Sequence, residues 1–266
     1  MHIKPAEEYI YDLFNLWKEA FGDEEAYIKL FFETVYKENV TVFADFDNGK
    51  IVSAFYLMRS FIRDKNAVYD GYYLYAAATL KEYRGKGIMG KLITEAQNYV
   101  SAEGKSFISL VPGEEYLYSY YKKFGFSSVM YRRKDIIECD GENGTYERYI
   151  SFDEYFKKRD CVLKIKAHCF FQKVYSYAAA CYEYLGLKAL GGDDFLLVVD
   201  TKNNCVKELL TNSFDELSVY DKMKNILPEG RYTVYSPFGK EKEPYGMVWF
   251  ADEKICEEIY MNIALD

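Results

Sequence analysis

The stretch with the clearest chemical capacity is Arg-Gly-Lys-Gly-Ile-Met-Gly at residues 84–90. It follows an apolar run over residues 74–79, which predicts a buried strand, and a short polar turn. A helix begins with unpaired backbone N–H donors and partial positive charge, and Arg84 and Lys86 add two full charges beside them. The sequence therefore predicts a phosphate-binding loop at a helix N-terminus.

The helix that follows this loop has one apolar face. The positions that form the face are Ile88, Leu92, Ile93, Ala96 and Val100. Gly104 stands where a C-terminal cap belongs. We expect this helix to pack on a sheet and to hold the loop rigid.

A second chemistry-bearing stretch is rich in tyrosine. A predicted strand over residues 106–112 leads into residues 116–126, which end in Tyr121-Lys-Lys-Phe-Gly-Phe126. A phenol has a reference pKa of about 10, so it is protonated at neutral pH and can donate a proton. Tyr121 is therefore either a proton donor or an aromatic residue that only packs on its helix.

The two stretches together resemble the GCN5-related N-acetyltransferase (GNAT) superfamily. The loop is similar to its acetyl-CoA motif, (Arg/Gln)-x-x-Gly-x-(Gly/Ala), with Arg84 first and Gly87 as the central glycine. Met89 departs from the pattern, because Gly or Ala is usual there, and Gly90 follows it. The ending from Tyr121 to Phe126 is similar to the superfamily's Tyr-x-Lys-x-Gly-Phe element.

This resemblance implies that the two strands splay apart and that the pantetheine arm of acetyl-CoA pairs with the first strand's backbone. The residues expected to bind acetyl-CoA are Ala77, Ala78, Thr79, Arg84, Gly85, Lys86, Gly87, Ile88, Met89 and Gly90.

A dinucleotide site is the competing interpretation, since Gly85-x-Gly87-x-x-Gly90 has the required spacing. A dinucleotide fingerprint, however, follows the first strand of a βαβ unit and precedes an acidic residue by about 20 positions. This loop instead follows a hairpin-like run of strands. The sequence favours acetyl-CoA.

The pattern of elements predicts an α+β fold. Its N-terminal part should be a GNAT fold, with a mixed, mainly antiparallel central sheet flanked by helices. Apolar periodicity predicts a helix over residues 6–21 and a second helix opening at residues 23–27, and Asn48-Gly49 predicts a hairpin turn. The Leu-Trp-x-x-x-Phe-Gly-Asp opening at residues 16–23 is similar to acetyltransferases of the enhanced-intracellular-survival type.

The polar, glycine-containing residues 139–150 predict a linker between domains over residues 1–138 and 151–266. The second, smaller α+β domain is either a degenerate GNAT-like repeat or a sterol-carrier-like domain. It should contain capping boxes at Ser151 and Ser213, a hairpin over residues 195–210 and a final helix over residues 253–265.

The resemblance assigns Tyr121 the role of proton donor to the departing thiolate, with Tyr118 and Tyr120 as substitutes. The candidate bases are Asp70, at the start of the central strand, and Glu114 and Glu115, on the loop before the tyrosine-rich helix. Asp266 is a further candidate, because enhanced-intracellular-survival enzymes bring a chain end into the site.

Composition limits the partners. A net charge of −8 and the lack of a basic run argue against nucleic acid. The acidity suits a cationic acceptor, or it merely keeps the protein soluble.

Six cysteines without a Cys-x-x-Cys pair and only two histidines predict a reduced protein without a metal cage. No run is long enough to span a membrane and no signal peptide is evident, so we expect a cytoplasmic protein. The oligomeric state stays open.

The expected function is acetyl-CoA-dependent transfer of an acetyl group to the amine of a small cationic acceptor. One alternative is a non-catalytic acetyl-CoA-binding or regulatory module. Another is an aminoacyl or peptide transferase with tandem GNAT-like domains.

Overall fold

The computed structural model describes residues 2–3, 6–65, 67–141, 149–192, 194–211, 216–252, 258–263 and 265. Its helices are α1 (Glu7–Phe21), α2 (Glu25–Thr34), α3 (Tyr36–Asn39), α4 (Ile88–Ala102), α5 (Glu115–Lys122), α6 (Phe152–Val162), α7 (Gln172–Tyr184) and α8 (Glu216–Ile226). Its strands are β1 (His2–Ile3), β2 (Val40–Asp47), β3 (Lys50–Arg63), β4 (Val68–Thr79), β5 (Phe107–Leu110), β6 (Ser127–Cys139), β7 (Tyr149–Ile150), β8 (Ala167–Phe170), β9 (Lys188–Gly191), β10 (Phe195–Asp200), β11 (Cys205–Thr211), β12 (Gly230–Ser236), β13 (Glu241–Phe250) and β14 (Ile259–Tyr260).

One mixed sheet runs through both halves of the chain. Its strand order is β1-β2-β3-β4-β5-β13-β6-β12-β11-β10-β9-β7. Strands β2, β3 and β4 form an antiparallel meander, and β5 joins β4 in parallel. The α+β class, with a mixed and mainly antiparallel sheet flanked by helices, is confirmed.

A strand from the second half completes the sheet of the first half. Strand β13 lies between β5 and β6 and is antiparallel to both, with Met247 opposite Leu110 and Pro244 opposite Tyr131. Its side chains enter the cores on both sheet faces: Met247 belongs to the core that includes α4 and α5, and Val248 belongs to the core that includes α1 and α2. The two halves therefore share one hydrophobic interior.

Helices α1, α2 and α7 cover one face of the sheet. Trp17, Phe31, Tyr56 and Tyr75 pack there as an aromatic group, with Trp17 and Phe31 centroids 5.2 Å apart. Helices α4 and α5 cover the opposite face. The N-terminus of α4 therefore lies on one face of the sheet. Helices α1 and α2 pack on the same strands from the opposite face.

Buried charges in the second half are paired. The guanidinium of Arg159 donates two hydrogen bonds to the carboxylate of Glu208, at 2.7 and 2.9 Å, and neither side chain is more than 3% exposed. Tyr155 and Tyr260 donate further bonds to the same carboxylate, at 2.6 and 3.0 Å. An unpaired buried charge is strongly destabilising, so the stability of each of these four residues in the interior depends on the others.

The local sequence signals were good predictors of the elements. The first helix covers Glu7–Phe21 and ends at Gly22, whose φ is 73°. The Asn48-Gly49 hairpin, the hairpin over residues 195–210 and the cap at Ser151, whose Oγ accepts from the Glu154 N–H, are confirmed. The predicted cap at Ser213 lies outside the described residues.

The prediction of a final helix over residues 253–265 is wrong for the part that the structure describes. Ile259 and Tyr260 form β14, which lies parallel to β6 and β8. A short apolar run fits a buried strand as well as a helix, and here the neighbouring strands supply its backbone partners. Residues 142–148 of the predicted linker lie outside the described residues, so the domain boundaries stay a prediction.

None of the described helices has the length and the apolar character that crossing a membrane requires.

We expect a fragment of residues 1–138 to lack a cooperative thermal transition, because β5 and β6 lose the strand between them and Met247 and Val248 leave both cores. Calorimetry of the fragment and of the full chain provides the measurement. Co-expression of residues 139–266 should restore the transition as a complex. A sharp two-state melt of the fragment by itself would contradict the expectation.

Candidate functional site

A bulge bends strand β4 near its end. Phe55 of β3 lies opposite two residues, Ala76 and Ala77, because the register shifts between Ala54 and Tyr56. Ala76 has a φ of 48°, a left-handed conformation that is uncommon for a residue with a side chain. Bulges with such strain often occur next to functional sites.

The neighbouring strand leaves β4 just before the bulge. The last parallel pair is Tyr73 with Ser109, and β5 ends at Leu110, while β4 continues to Thr79. Among the described residues no strand pairs with residues 74–79 on this side. An open strand edge of this kind can receive an extended ligand through backbone hydrogen bonds.

The glycine-rich loop lies directly beyond this edge. Gly85 and Gly87 both have a φ of 77°, and a Cβ added at either would meet nothing within 4 Å. Gly87 is the N-cap of α4, whose first turn carries no acidic side chain. The loop is exposed, and Arg84 is held in place because its Nε donates to the Thr79 carbonyl at 2.9 Å. These features suit an anion at the helix N-terminus.

The structure explains the glycine that follows Met89. A Cβ added at Gly90 would lie 2.8 Å from the ring of Phe124, which belongs to the second motif. The side chain of Gln97 donates to the Phe124 carbonyl at 2.7 Å. Gly90 therefore allows α4 to approach the segment after α5, and the two motifs are packed against each other.

Tyr121 lies on α5, on the same face of the sheet as α4. Its side chain is 7% exposed and packs on Phe126 and Tyr120. Burial raises its pKa, so the phenol keeps its proton at neutral pH. The hydroxyl of Tyr118 donates to the Tyr245 carbonyl of β13 at 3.1 Å, and the ring of Tyr120 packs on Phe124.

The opposite face of the bulge carries a cluster that sequence reasoning missed. The hydroxyls of Tyr27 and Tyr75 donate to the Leu265 carbonyl, at 3.1 and 2.5 Å. The hydroxyls of Tyr75 and Tyr177 lie 2.9 Å apart. These residues come from α2, β4, α7 and the last described residue, and no local pattern links positions that lie up to 238 residues apart.

The candidate bases are not brought together. Asp70 lies seven residues before Ala77, roughly 23 Å away along an extended strand. Its carboxylate pairs with Arg59 at 2.7 Å and with Lys105 at 2.5 Å, which favours a structural role. Glu114 and Glu115 are exposed at the start of α5.

Asp266 itself lies outside the described residues. Leu265, to which it is bonded, is 2% exposed and lies at the tyrosine cluster.

A buried histidine lies next to the residue at which β5 separates from β4. Its Nε2 is 3.0 Å from Ser109 Oγ, and Ser109 in turn donates to the Tyr72 carbonyl at 3.2 Å. The histidine, His168, is 2% exposed, and burial lowers its pKa to about 3. It is therefore neutral at physiological pH and serves as a hydrogen-bond partner.

The sequence model of the acetyltransferase (GNAT) domain matches residues 2–129, a segment that contains the open edge of β4, the glycine loop and Tyr121. Residues 2–129 therefore carry the sequence signature of a GNAT domain. The dinucleotide interpretation of the same glycines is therefore set aside. A comparison with curated proteins finds no match.

Solved GNAT structures share the fold over both halves. Eis1 from Mycobacterium abscessus has a TM-score of 0.71 at 10% identity, over 94% of this chain and 73% of that chain. A GCN5-related N-acetyltransferase from Kribbella flavida has 0.70 at 14%, over 95% and 72%. A conserved protein of unknown function from Enterococcus faecalis V583, described as a probable N-acyltransferase, has 0.69 at 12%, over 94% and 72%. At these identities the likeness concerns the fold, and it includes the second half of the chain.

We expect Gly87→Asp to weaken CoA binding on the order of 10- to 100-fold, as for a unit charge placed near a phosphate at a protein surface. Isothermal titration calorimetry with CoA is the measurement. Gly104→Asp is the matched control, because Gly104 lies just past the other end of α4 with a φ of 67° and equal open space. Equal affinity in the two variants would rule out the loop as the phosphate site.

Proposed function

We propose that this protein is an acetyl-CoA-dependent N-acetyltransferase that acetylates the amine of a small cationic acceptor. The observation that carries the proposal is the open edge of β4, which runs directly into the exposed glycine loop at the start of α4. The open edge suits backbone pairing with an extended arm that contains amides, and the loop suits the binding of a phosphate. Acetyl-CoA joins both groups in one molecule.

The pyrophosphate would lie over residues 84–90, where the α4 N-terminus, Arg84 and Lys86 offer N–H donors and positive charge. The pantetheine arm would add to the edge over residues 74–79 as an extra strand. This places the thioester near the bulge at Ala76, with Tyr121 on one face of the sheet and Tyr75 on the other.

Direct transfer then needs three events. The lone pair of the neutral amine attacks the thioester carbonyl carbon, and a C–N bond forms while the carbonyl oxygen becomes negative. The C–S bond then breaks, and the departing thiolate takes the proton of the Tyr121 hydroxyl. The amine's extra proton passes to a base, and solvent reprotonates Tyr121.

We propose Asp266 as the base, because its neighbour in the chain lies at the bulge. The carbonyl of the preceding residue, Leu265, lies at Tyr75, the residue before the bulge. Asp70, by comparison, lies at the far end of β4 between two cations.

The acceptor class is inferred from charge. The turn between α1 and α2 presents Asp23 and Glu24, and the hydroxyl of Tyr184 donates to Glu24. The ring of Tyr184 packs on Tyr27, whose own hydroxyl reaches Leu265. Acidic and aromatic side chains thus lie on the α1–α2 side of the bulge, where a cationic amine is favoured over an anionic acceptor.

The experiment that tests the function measures thiol release from acetyl-CoA across a panel of polyamines, aminoglycosides and peptide amines, alongside CoA affinity. Release with a cationic amine supports the proposal. Tight CoA binding without release on any amine would instead indicate a binding or regulatory module. Transfer to a peptide or from a charged tRNA would indicate the tandem-transferase alternative.

We expect Tyr121→Phe to lower kcat by about 10²- to 10⁴-fold, the usual cost of removing one proton donor. The ring stays in place, so the CoA dissociation constant and the melting temperature should hardly change. Steady-state kinetics on the best amine gives the measurement.

Tyr120→Phe is the matched control, because Tyr120 lies next to Tyr121 on α5 and also packs on an aromatic ring. If both variants turn over at the parent rate, proton donation passes to Tyr118 or to water. If Tyr121→Phe loses CoA binding, its hydroxyl holds the cofactor.

A further inference from the structure

Seven strands close into a ring that joins the two halves of the chain. Strand β8 pairs with β3 and with β14, and β14 pairs with β6. Together with the pairs of the main sheet, these contacts give the closed order β3-β4-β5-β13-β6-β14-β8. Strands β8, β13 and β14 come from the second half. Both halves therefore surround one interior.

A chain of hydrogen bonds crosses the interior of this ring. His168 lies on β8 and Ser109 on β5, and these two strands are not neighbours in the ring. His168 Nε2 lies 3.0 Å from Ser109 Oγ, which lies 3.2 Å from the Tyr72 carbonyl oxygen of β4. Ser109 is 0% exposed and His168 is 2% exposed. We call His168, Ser109 and the Tyr72 carbonyl the vertex brace.

The direction of each bond in the vertex brace follows from its acceptors. A carbonyl only accepts, so the Ser109 hydroxyl donates its one proton to Tyr72. The bond between His168 and Ser109 must then run from the imidazole to the hydroxyl oxygen. Because burial lowers the pKa of His168 to about 3, the ring is neutral at physiological pH and carries a single N–H. The network therefore assigns this proton to Nε2.

Aromatic rings hold the imidazole of His168 in place. The ring of Phe170 packs on it with centroids 4.8 Å apart. The rings of Tyr73 and Phe107 lie 5.9 and 6.1 Å from it. Phe107 also lies against Gly71 of β4, where an added Cβ would come within 2.5 Å of the Phe107 ring. The donor of the brace is therefore packed between β4, β5 and β8.

The vertex brace lies where the slot between β4 and β5 begins. Tyr73 and Ser109 form the last pair of the two strands, and β4 continues to Thr79 with no strand partner on this side among the described residues. Backbone pairing frays most easily at the end of an element, where few contacts oppose opening. A buried bond from the Ser109 side chain to the β4 backbone opposes such fraying at this point.

We propose that Ser109 and His168 are positioning residues that hold β4 and β5 together at the vertex and thereby preorganise the slot for the pantetheine arm of acetyl-CoA. This proposal rests on the proposed function. A ligand that enters a preformed slot loses less binding free energy to ordering, so the brace acts on cofactor affinity. Through His168, the second half of the chain contributes to this affinity from a buried position.

The first test compares two buried serines of the ring. Ser109→Ala should weaken CoA binding on the order of 3- to 10-fold, because the slot must then be ordered as the cofactor binds. Ser60→Ala is the matched control, since Ser60 lies on β3, is also 0% exposed, and has no hydrogen-bond partner for its Oγ among the described residues. Isothermal titration calorimetry with CoA is the measurement. Equal affinities in the two variants would overturn the proposal.

The second test changes the donor of the brace and keeps a side chain of similar size. His168→Gln retains an N–H donor near the position of Nε2, whereas His168→Leu has none. CoA should bind to the Gln variant with an affinity close to that of the parent, and to the Leu variant as weakly as to Ser109→Ala. If both variants keep the parent affinity and only the melting temperature falls, the pair serves stability alone and the proposal is wrong. An equal loss of affinity in both would assign the effect to ring packing and would also overturn it.

A double-mutant cycle shows whether the two residues act as one chain. Ser109→Ala and His168→Leu together should weaken CoA binding no more than either change alone, because both break the same connection. Losses that multiply would mean two independent effects and would contradict the brace.

The assigned tautomer can be measured without cofactor. Nitrogen NMR of the histidine side chains should show His168 neutral, with its proton on Nε2. A proton on Nδ1 would break the chain of donors and overturn the proposal.

The titrations also separate this proposal from the proposed function. If the parent shows no CoA binding, the proposed function fails and the positioning role fails with it. If the parent binds CoA and Ser109→Ala binds it equally well, only the positioning role fails and the acetyltransferase assignment stands.

Discussion

The separation of β4 from β5 after Tyr73 and Ser109 is the constraint around which the rest of the site is arranged. Backbone groups without partners are costly inside a protein, so an open edge persists only where solvent or a ligand can pair with it. Here the sheet is otherwise continuous through both halves. The bulge at Ala76 and Ala77 lies on the open edge, and the glycine loop lies at its end. In the proposed function, this one gap in hydrogen bonding defines where the cofactor lies, from which faces it is approached, and which tyrosines flank it.

Features encoded by adjacent residues were predictable from the sequence. Gly87 stands in the left-handed conformation that the loop requires, and the apolar face from Leu92 to Val100 is buried against the sheet. Tyr121 lies on the predicted helix and packs beside α4. In each case the spacing of a few residues determines the structure, through helix periodicity or turn geometry.

Features that depend on distant residues were not predictable. The insertion of β13 beside β5 and the contact of Tyr75 with Leu265 join positions more than 130 residues apart. Asp70 was proposed as a base because it lies on the central strand. The two ends of an extended strand are far apart, however, and the glycine loop lies at the end opposite Asp70. The final apolar run was misassigned because its backbone partners, β6 and β8, lie elsewhere in the chain.

The place of β13 also affects how the protein is made. Strand β6 ends at Cys139 and β13 begins at Glu241, so about a hundred residues must be synthesised between them. At about 5 to 20 residues per second, the nascent GNAT domain waits roughly 5 to 20 seconds with the edge of β5 uncovered. Unpaired strand edges are sites of aggregation, and this edge is buried between apolar cores once β13 arrives. The interval of translation after β6 is therefore the period in which this edge is open to aggregation.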